Sequence, residues 1–208
     1  MVYFGYWGAA MPGRKASEAT RRNQILQAAV DIAERRGLGA FTVRHVAERA
    51  GLSVGLVLFH FETKDALIIA VLDHVLATTT VLHMTDDIAA IASPRERLLA
   101  LLRREMRRLS SEPRRIRLFF DFWALGFKHR RIRARMQAEL DRYREAFRPI
   151  ADEVLRVEPA RFAGVTADGL AAVSVSFIKG CAVQSMIDPQ NVDIDGFLSA
   201  TQGLFGET

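Results

Sequence analysis

Between Ser17 and Leu76 the apolar residues recur at helical spacing, and residues that start or stop a helix cut the run into short pieces. Ile25, Leu26, Ala29, Val30, Ile32 and Ala33 form one face of a helix that opens at Ser17 and stops at Gly37. Thr42 is placed to N-cap a short helix carrying Val43, Val46 and Ala47 inward, which Gly51 ends. Ser53 caps the next, to about Phe59, and Thr63 caps a longer one with Leu67, Ala70, Val71 and His74 at helical spacing. Two short helices joined by a tight glycine turn inside a three-helix unit describe a helix-turn-helix. In that motif the second helix enters the major groove while the first braces it. The same spacing also describes a structural helical hairpin.

The remainder is helical as well, with no strand pairs and no internal repeat. A break at "MTDDIAAIAS" precedes Ser93–Glu96, a capping box with proline at the first helical position. That helix runs to about Leu109, where "SSEP" closes it, and others cover Arg115 to Phe127, Arg130 to Leu155, Ala167 to Ile187 and Asp193 to Leu204. Along Arg130–Leu155 the pairs Arg135–Glu139, Glu139–Arg142 and Asp141–Arg144 read as a solvated face. The fold class is therefore all-α: an N-terminal three-helix unit, then a C-terminal helical bundle, with the fourth helix joining them. Residues 1–16 read as a flexible extension. Its aromatic start, "MVYFGYWGAA", is either a disordered piece from an upstream start codon or a hydrophobic anchor.

Composition adds limits rather than a function. The 208 residues are half hydrophobic and a quarter charged, a globular balance. The net charge of +5 rests on 29 basic residues, all arginine except Lys15, Lys64, Lys128 and Lys179. Genome composition also produces that bias, so it points only weakly to nucleic acid. Cys181 stands alone, which excludes an internal disulfide and a cysteine-cluster metal site. No apolar run approaches the ~20 residues that span a bilayer, so no membrane is expected and the expected compartment is the cytoplasm. The histidines at 45, 60, 74, 83 and 129 lack metal-ligand spacing, and no "GxSxG", phosphate loop or "HExxH" occurs. The expectation is no enzyme, no catalytic residues, no cofactor and no metal.

The segment "FTVRHVAERAGLSVGLVLFHFETKDALIIAVL", Phe41 to Leu72, resembles the DNA-binding signature of the TetR family of bacterial transcriptional regulators. Thr42, Arg44, Ala47, Ala50–Gly51, Ser53, Gly55, His60–Phe61 and Lys64–Leu67 carry the resemblance. It implies a helix-turn-helix DNA-binding domain over residues 17–62 and a ligand-binding and dimerisation domain over 63–208. Arg44 matches the position of a guanine-reading arginine, and a bidentate pair to O6/N7 is worth about 1–3 kcal/mol of discrimination. Thr42, Ser53, His60 and Lys64 match positions that touch phosphates. Arg14, Lys15, Arg21 and Arg22 supply further phosphate contacts or merely solubilise a tail. Departures are equally informative: Val54 cannot hydrogen-bond a base edge, and Leu56 and Leu58 replace a threonine and a tyrosine common in the family. A helix this apolar reads thymine methyls and shape, with Gly55 allowing close backbone approach and phosphate contacts supplying affinity.

In the bundle, Phe119, Phe120, Trp123 and Phe127 share a helical face, and Met106, Tyr143, Phe147 and Phe177 sit on neighbouring helices. Such a stripe is either plain core or the lining of a small-molecule pocket, which the family resemblance implies lies among these helices. Asp121, His83, Gln184 and Ser174 are the polar candidates there. "FDFW" and "DGLAAVSVSFIKGCAVQSMIDP" are similar to the choline-responsive, BetI-like branch, without fixing a ligand. Aromatic lining suits flat apolar molecules and cations. Ala167–Ile187 is apolar on two sides, more than one chain can bury, so Leu170, Val173, Phe177 and Cys181, with Phe197 and Leu204 of the last helix, form the expected homodimer interface. The implied partners are a pseudo-palindromic double-stranded DNA operator, a small-molecule effector and a second copy. The other reading is a helical ligand-binding or membrane-surface module without DNA function.

Overall fold

The computed structural model describes residues 17–78 and 84–204, and every regular element among them is helical. The helices are α1 (Glu18–Arg36), α2 (Val43–Ala50), α3 (Val54–Phe61), α4 (Lys64–Thr78), α5 (Asp86–Ala89), α6 (Pro94–Ser111), α7 (Pro113–Gly126), α8 (Arg130–Val157), α9 (Ala167–Ile187) and α10 (Ile194–Leu204). A 3-10 turn, Leu38–Ala40, lies between α1 and α2. The extension 1–16, with Arg14 and Lys15, and His83 lie outside the described residues.

The starts follow from side-chain capping. Hydroxyl oxygens of Ser17, Thr42, Ser53 and Thr63 accept from the amides of Thr20, His45, Leu56 and Ala66 at 3.0–3.2 Å. Ser93 does the same for Glu96 at 3.3 Å. Each bond satisfies a donor that the first helical turn leaves orphaned. Gly37 and Gly51 end α1 and α2 at φ 72° and 66°, where a side chain would be strained. Where the sequence reads as a break, Asp86–Ala89 makes one helical turn, because Ile88 is buried in the bundle core.

The turn from α3 to α4 has no glycine. Glu62 closes α3 at φ 58°, ψ −53°, a conformation that disfavours any residue with a Cβ. Relief by Glu62→Gly should raise stability by about 1 kcal/mol, or about 2–4 °C in Tm by calorimetry. A fall in Tm would mean that the Glu62 side chain contributes more than its backbone costs.

Two cores result. The first joins Ile25, Ala29, Phe41, Val46, Val57, Phe61, Leu67 and Val71 to Leu118, Phe119 and Phe122 of α7 and to Ile132 and Met136 of α8. The second joins Leu98, Leu102 and Met106 of α6, Tyr143, Phe147 and Ile150 of α8, Leu170, Val175 and Ile178 of α9, and Leu198 of α10. Phe120 packs against both, so α7 belongs to each half. By length and composition α9 could cross a membrane, which corrects the expectation that no apolar run reaches that length. Its buried positions pack against α6 and α8.

Candidate DNA interface and effector site

Helix α3 buries Val57 and Phe61 and turns Val54, Gly55, Leu58 and Phe59 outward, with Leu56 half-buried. Phe59 is 74 % exposed and meets the His60 ring edge-on at 5.3 Å. Its position four residues after Gly55 puts it on the same outward face. Arg44 stands exposed on α2, held through Nε by Glu48 at 3.2 Å, so its two terminal nitrogens remain uncommitted. Lys64 is exposed at the first turn of α4. The capping hydroxyls of Thr42 and Ser53 are exposed and use lone pairs to cap, which leaves each O–H able to donate to a phosphate.

Helix α1 fixes this reader. Arg22 donates to the His60 carbonyl at 2.5 Å and lies 4.1 Å over the Phe61 ring, and Gln24 donates to the Ala50 carbonyl at 2.8 Å. Asp31 accepts from Arg49 and Arg35 at 2.6 Å each, and these bonds hold its carboxyl below the usual carboxylate range. Arg22 is thus a brace rather than a free arm, and Arg21 bonds Gln24 at 2.9 Å.

The bundle grips the same helix from the other end. On α7, Arg117 donates to the Glu34 and Arg35 carbonyls at 2.7 and 3.3 Å, satisfying the C-terminus of α1. One turn later Asp121 accepts from the Leu38 amide at 3.2 Å. Asp121 therefore faces the reader and the cleft beside it, away from the ring stripe. Helix α4 is tied to α8 by Arg135–Asp73 at 2.6 Å and by Arg142 to the Leu76 carbonyl at 2.9 Å.

The other side of α7 carries rings. Phe120 and Trp123 stack at 5.8 Å, and Phe119 meets both edge-on at 5.5 and 5.7 Å. Met106, Tyr143 and Phe147 are fully buried, whereas Phe120, Trp123 and Phe177 are half-buried. Phe127 leaves the stripe: it lies one residue past the end of α7 and is 72 % exposed. Sequence reasoning also missed a buried polar cluster beside the rings. Glu105 accepts from Arg108 at 2.7 Å and Glu139 from Arg142 at 2.6 Å, while the second Glu139 oxygen is buried without a partner. Burial pushes the Glu139 carboxyl up and the Tyr143 phenol up to about 12. The face expected to be solvated is exposed at Asp141–Arg144 but buried at Glu139, because α9 covers it, and Arg135 pairs with Asp73 instead. Ser174 bonds its own helix at Leu170 and Gln184 faces solvent, so neither points to a ligand.

Two family patterns match this architecture. The model described as bacterial regulatory proteins, tetR family, matches residues 25–71, and that of the BetI-type transcriptional repressor C-terminal domain matches residues 94–202. The chain belongs to the TetR family. Its branch is BetI-like: the HTH-type transcriptional regulator BetI 1 of Chromohalobacter salexigens is 27 % identical over 175 residues, 84 % of this chain and 83 % of that protein. A TetR transcription regulator from Haloarcula marismortui superposes with a TM-score of 0.69 at 17 % identity, covering 89 % of this chain and 96 % of its own. A putative transcriptional regulator from Saccharomonospora viridis, solved in complex with choline, gives a TM-score of 0.63 at 20 % identity, with 89 % and 95 % covered. The protein is accordingly a DNA-binding transcriptional regulator of the repressor type, in a family that is not one of enzymes.

In this TetR-family regulator the outward stripe of α9 differs from the expected one. Leu170 and Cys181 are buried within their own chain, so they are unavailable to a partner. Gly169, Val173, Ser176, Val183 and Ile187 face out, with Gly180 half-exposed and open space where its Cβ would stand. Phe177 and Phe197 are half-buried at the edges; the side chain of Leu204 lies outside the described residues. A separate cleft of about 700 Å³ lies between the start of α4 and the α7–α8 corner, lined by Lys64, Ile68, Ile69, Leu125, Lys128 and Ile132 among others. Among the described residues no group of His, Cys, Asp and Glu could hold a metal ion.

Proposed function

We propose that the protein works in the cytoplasm as a homodimeric repressor that grips a pseudo-palindromic operator through residues 17–62 and Lys64. Residues 63–208 bind a hydrophobic or aromatic small molecule and supply the dimer contact. The observation that carries this is the double role of α7: Arg117 and Asp121 hold the end of α1 while Phe119, Phe120 and Trp123 line the ring cluster. A ligand seated between the rings therefore moves the helix that orients the reader. If it binds better when the two readers are badly spaced, linkage requires that it weaken DNA binding. The aromatic lining favours flat apolar ligands, and a structural relative solved in complex with choline supports a small-molecule site in this fold.

The reader residues divide by role. Arg44 makes the hydrogen-bonded base contact; Val54, Leu58 and Phe59 present apolar surface to thymine methyls; Thr42, Ser53, Gly55, Leu56, His60 and Lys64 set the approach and the phosphate contacts. Arg44→Ala should relax preference at one base pair per half-site and cost about 1–3 kcal/mol there. Lys64→Ala should weaken binding to all sequences alike and flatten the salt dependence by about one unit per lost phosphate contact. Mobility shifts on the chain's own upstream region, at several salt concentrations, test both. Altered base preference in Lys64→Ala would reverse the assignment.

A further inference from the structure

Helix α9 is apolar along most of its length, and in its middle stands Lys179, 9 % exposed. A lysine this buried usually has a charged partner. Here the ammonium instead lies 4.2 Å from the ring centre of Phe119 and 4.1 Å from that of Tyr143. The carboxylates of Glu139 and Glu105 attract it, but their hydrogen bonds go to Arg142 and Arg108, and the remaining Glu139 oxygen is buried without a hydrogen-bond partner. Three cations thus share two carboxylates, and the lysine, drawn to them only through space, rests on ring faces. Burial lowers the Lys179 ammonium to about 8, the mark of a charge whose surroundings only partly replace water.

We infer that Lys179 is a tethered cation occupying the Phe119 and Tyr143 faces of the ring cluster, here called the aromatic box, so that the box admits neutral apolar or aromatic ligands and shuts out permanent cations. The inference rests on the proposal that the box is the effector site. An incoming ammonium would find the Phe119 and Tyr143 faces taken and a like charge at contact distance, a repulsion that low polarity strengthens. A neutral ring meets no such barrier and can stack on the half-buried Phe120–Trp123 pair. One residue therefore sets the charge of what the regulator senses.

The test compares the full-length protein with Lys179→Ala, which empties the position. Lys179→Val removes the charge, is too short to cover the ring faces, and replaces the alanine variant if that one does not fold. The probes are tetramethylammonium and benzyl alcohol, followed by Trp123 emission with Trp123→Phe as control, because Trp7 also emits. Tetramethylammonium should bind Lys179→Ala about tenfold or more tightly than it binds the native protein, and benzyl alcohol should bind both within about threefold. Equal affinity of tetramethylammonium for the native and variant proteins overturns the inference and leaves the box as an effector site. Failure of both probes to bind any of these proteins removes the box and the inference together.

Discussion

Val183→Asp should yield a folded monomer that has lost most of its operator binding. Val183 is exposed in the single chain, so a carboxylate there meets water and disturbs no packing. The outward residues 169, 173, 176, 180, 183 and 187 alternate four-residue and three-residue steps, the spacing of a seam between helices. Glycine at 169 and 180 lets a second backbone approach closely. In a two-fold dimer the aspartate would enter that seam twice, without a counter-charge, and burying an unpaired carboxylate costs several times what the seam gains from one valine. Two linked readers hold two half-sites by effective concentration, so a monomer should bind more weakly by about 100-fold or more. Sedimentation at micromolar concentration and a mobility shift on the full operator measure the two effects. A Val183→Asp protein that still sediments as a dimer would move the interface off α9.

The second large effect is expected at Phe122. It is completely buried, and it belongs to the reader's core although it lies on a helix of the bundle. Phe122→Ala should therefore lower stability by about 3–5 kcal/mol, since the cavity opens in a core where α7 packs between α1 and α8 and cannot collapse freely. In the protein that remains folded, α7 would hold α1 and the turn after it through Arg117, Asp121, Leu118 and Phe119 without its largest buried anchor, so ligand should release the operator less completely. Urea unfolding gives the first quantity and ligand-dependent mobility shifts give the second. A cost below about 1 kcal/mol would mean that α7 rests against the reader without being built into it.

What could be read from the chain beforehand, and what could not, divides by range. Caps at Ser17, Thr42, Ser53, Thr63 and Ser93 were legible because each bond spans three residues and depends on nothing else. The strained turn at Glu62 carried no glycine or asparagine to announce it. Leu170 and Cys181 were assigned to the wrong side of α9 because a helix apolar all round gives no phase; α6 and α8 decide which side is covered. Glu139 was paired correctly with Arg142, yet its burial follows from distant packing that an i,i+3 rule does not contain. Lys179 did leave a signal, a solitary charge in "SVSFIKGCAV", but only the tertiary fold shows that it meets rings.

The helix shared by the two cores also bears on how such regulators can be recombined. Exchanging readers between relatives is an obvious route to sensors with new operators, and the sequence suggests cutting near residue 62. A transplant cut there would leave behind Leu118, Phe119 and Phe122, which fill the reader's interior from some fifty residues downstream. The incoming reader would have to tolerate a foreign α7, and the vacated bundle would present that helix to a surface of the wrong shape. The exchangeable unit is thus discontinuous in the chain: residues 17–78 together with the buried face of 113–126 and the part of α8 that carries Ile132 and Met136. Grafts that carry all of these pieces keep the joint through which ligand and DNA are proposed to communicate.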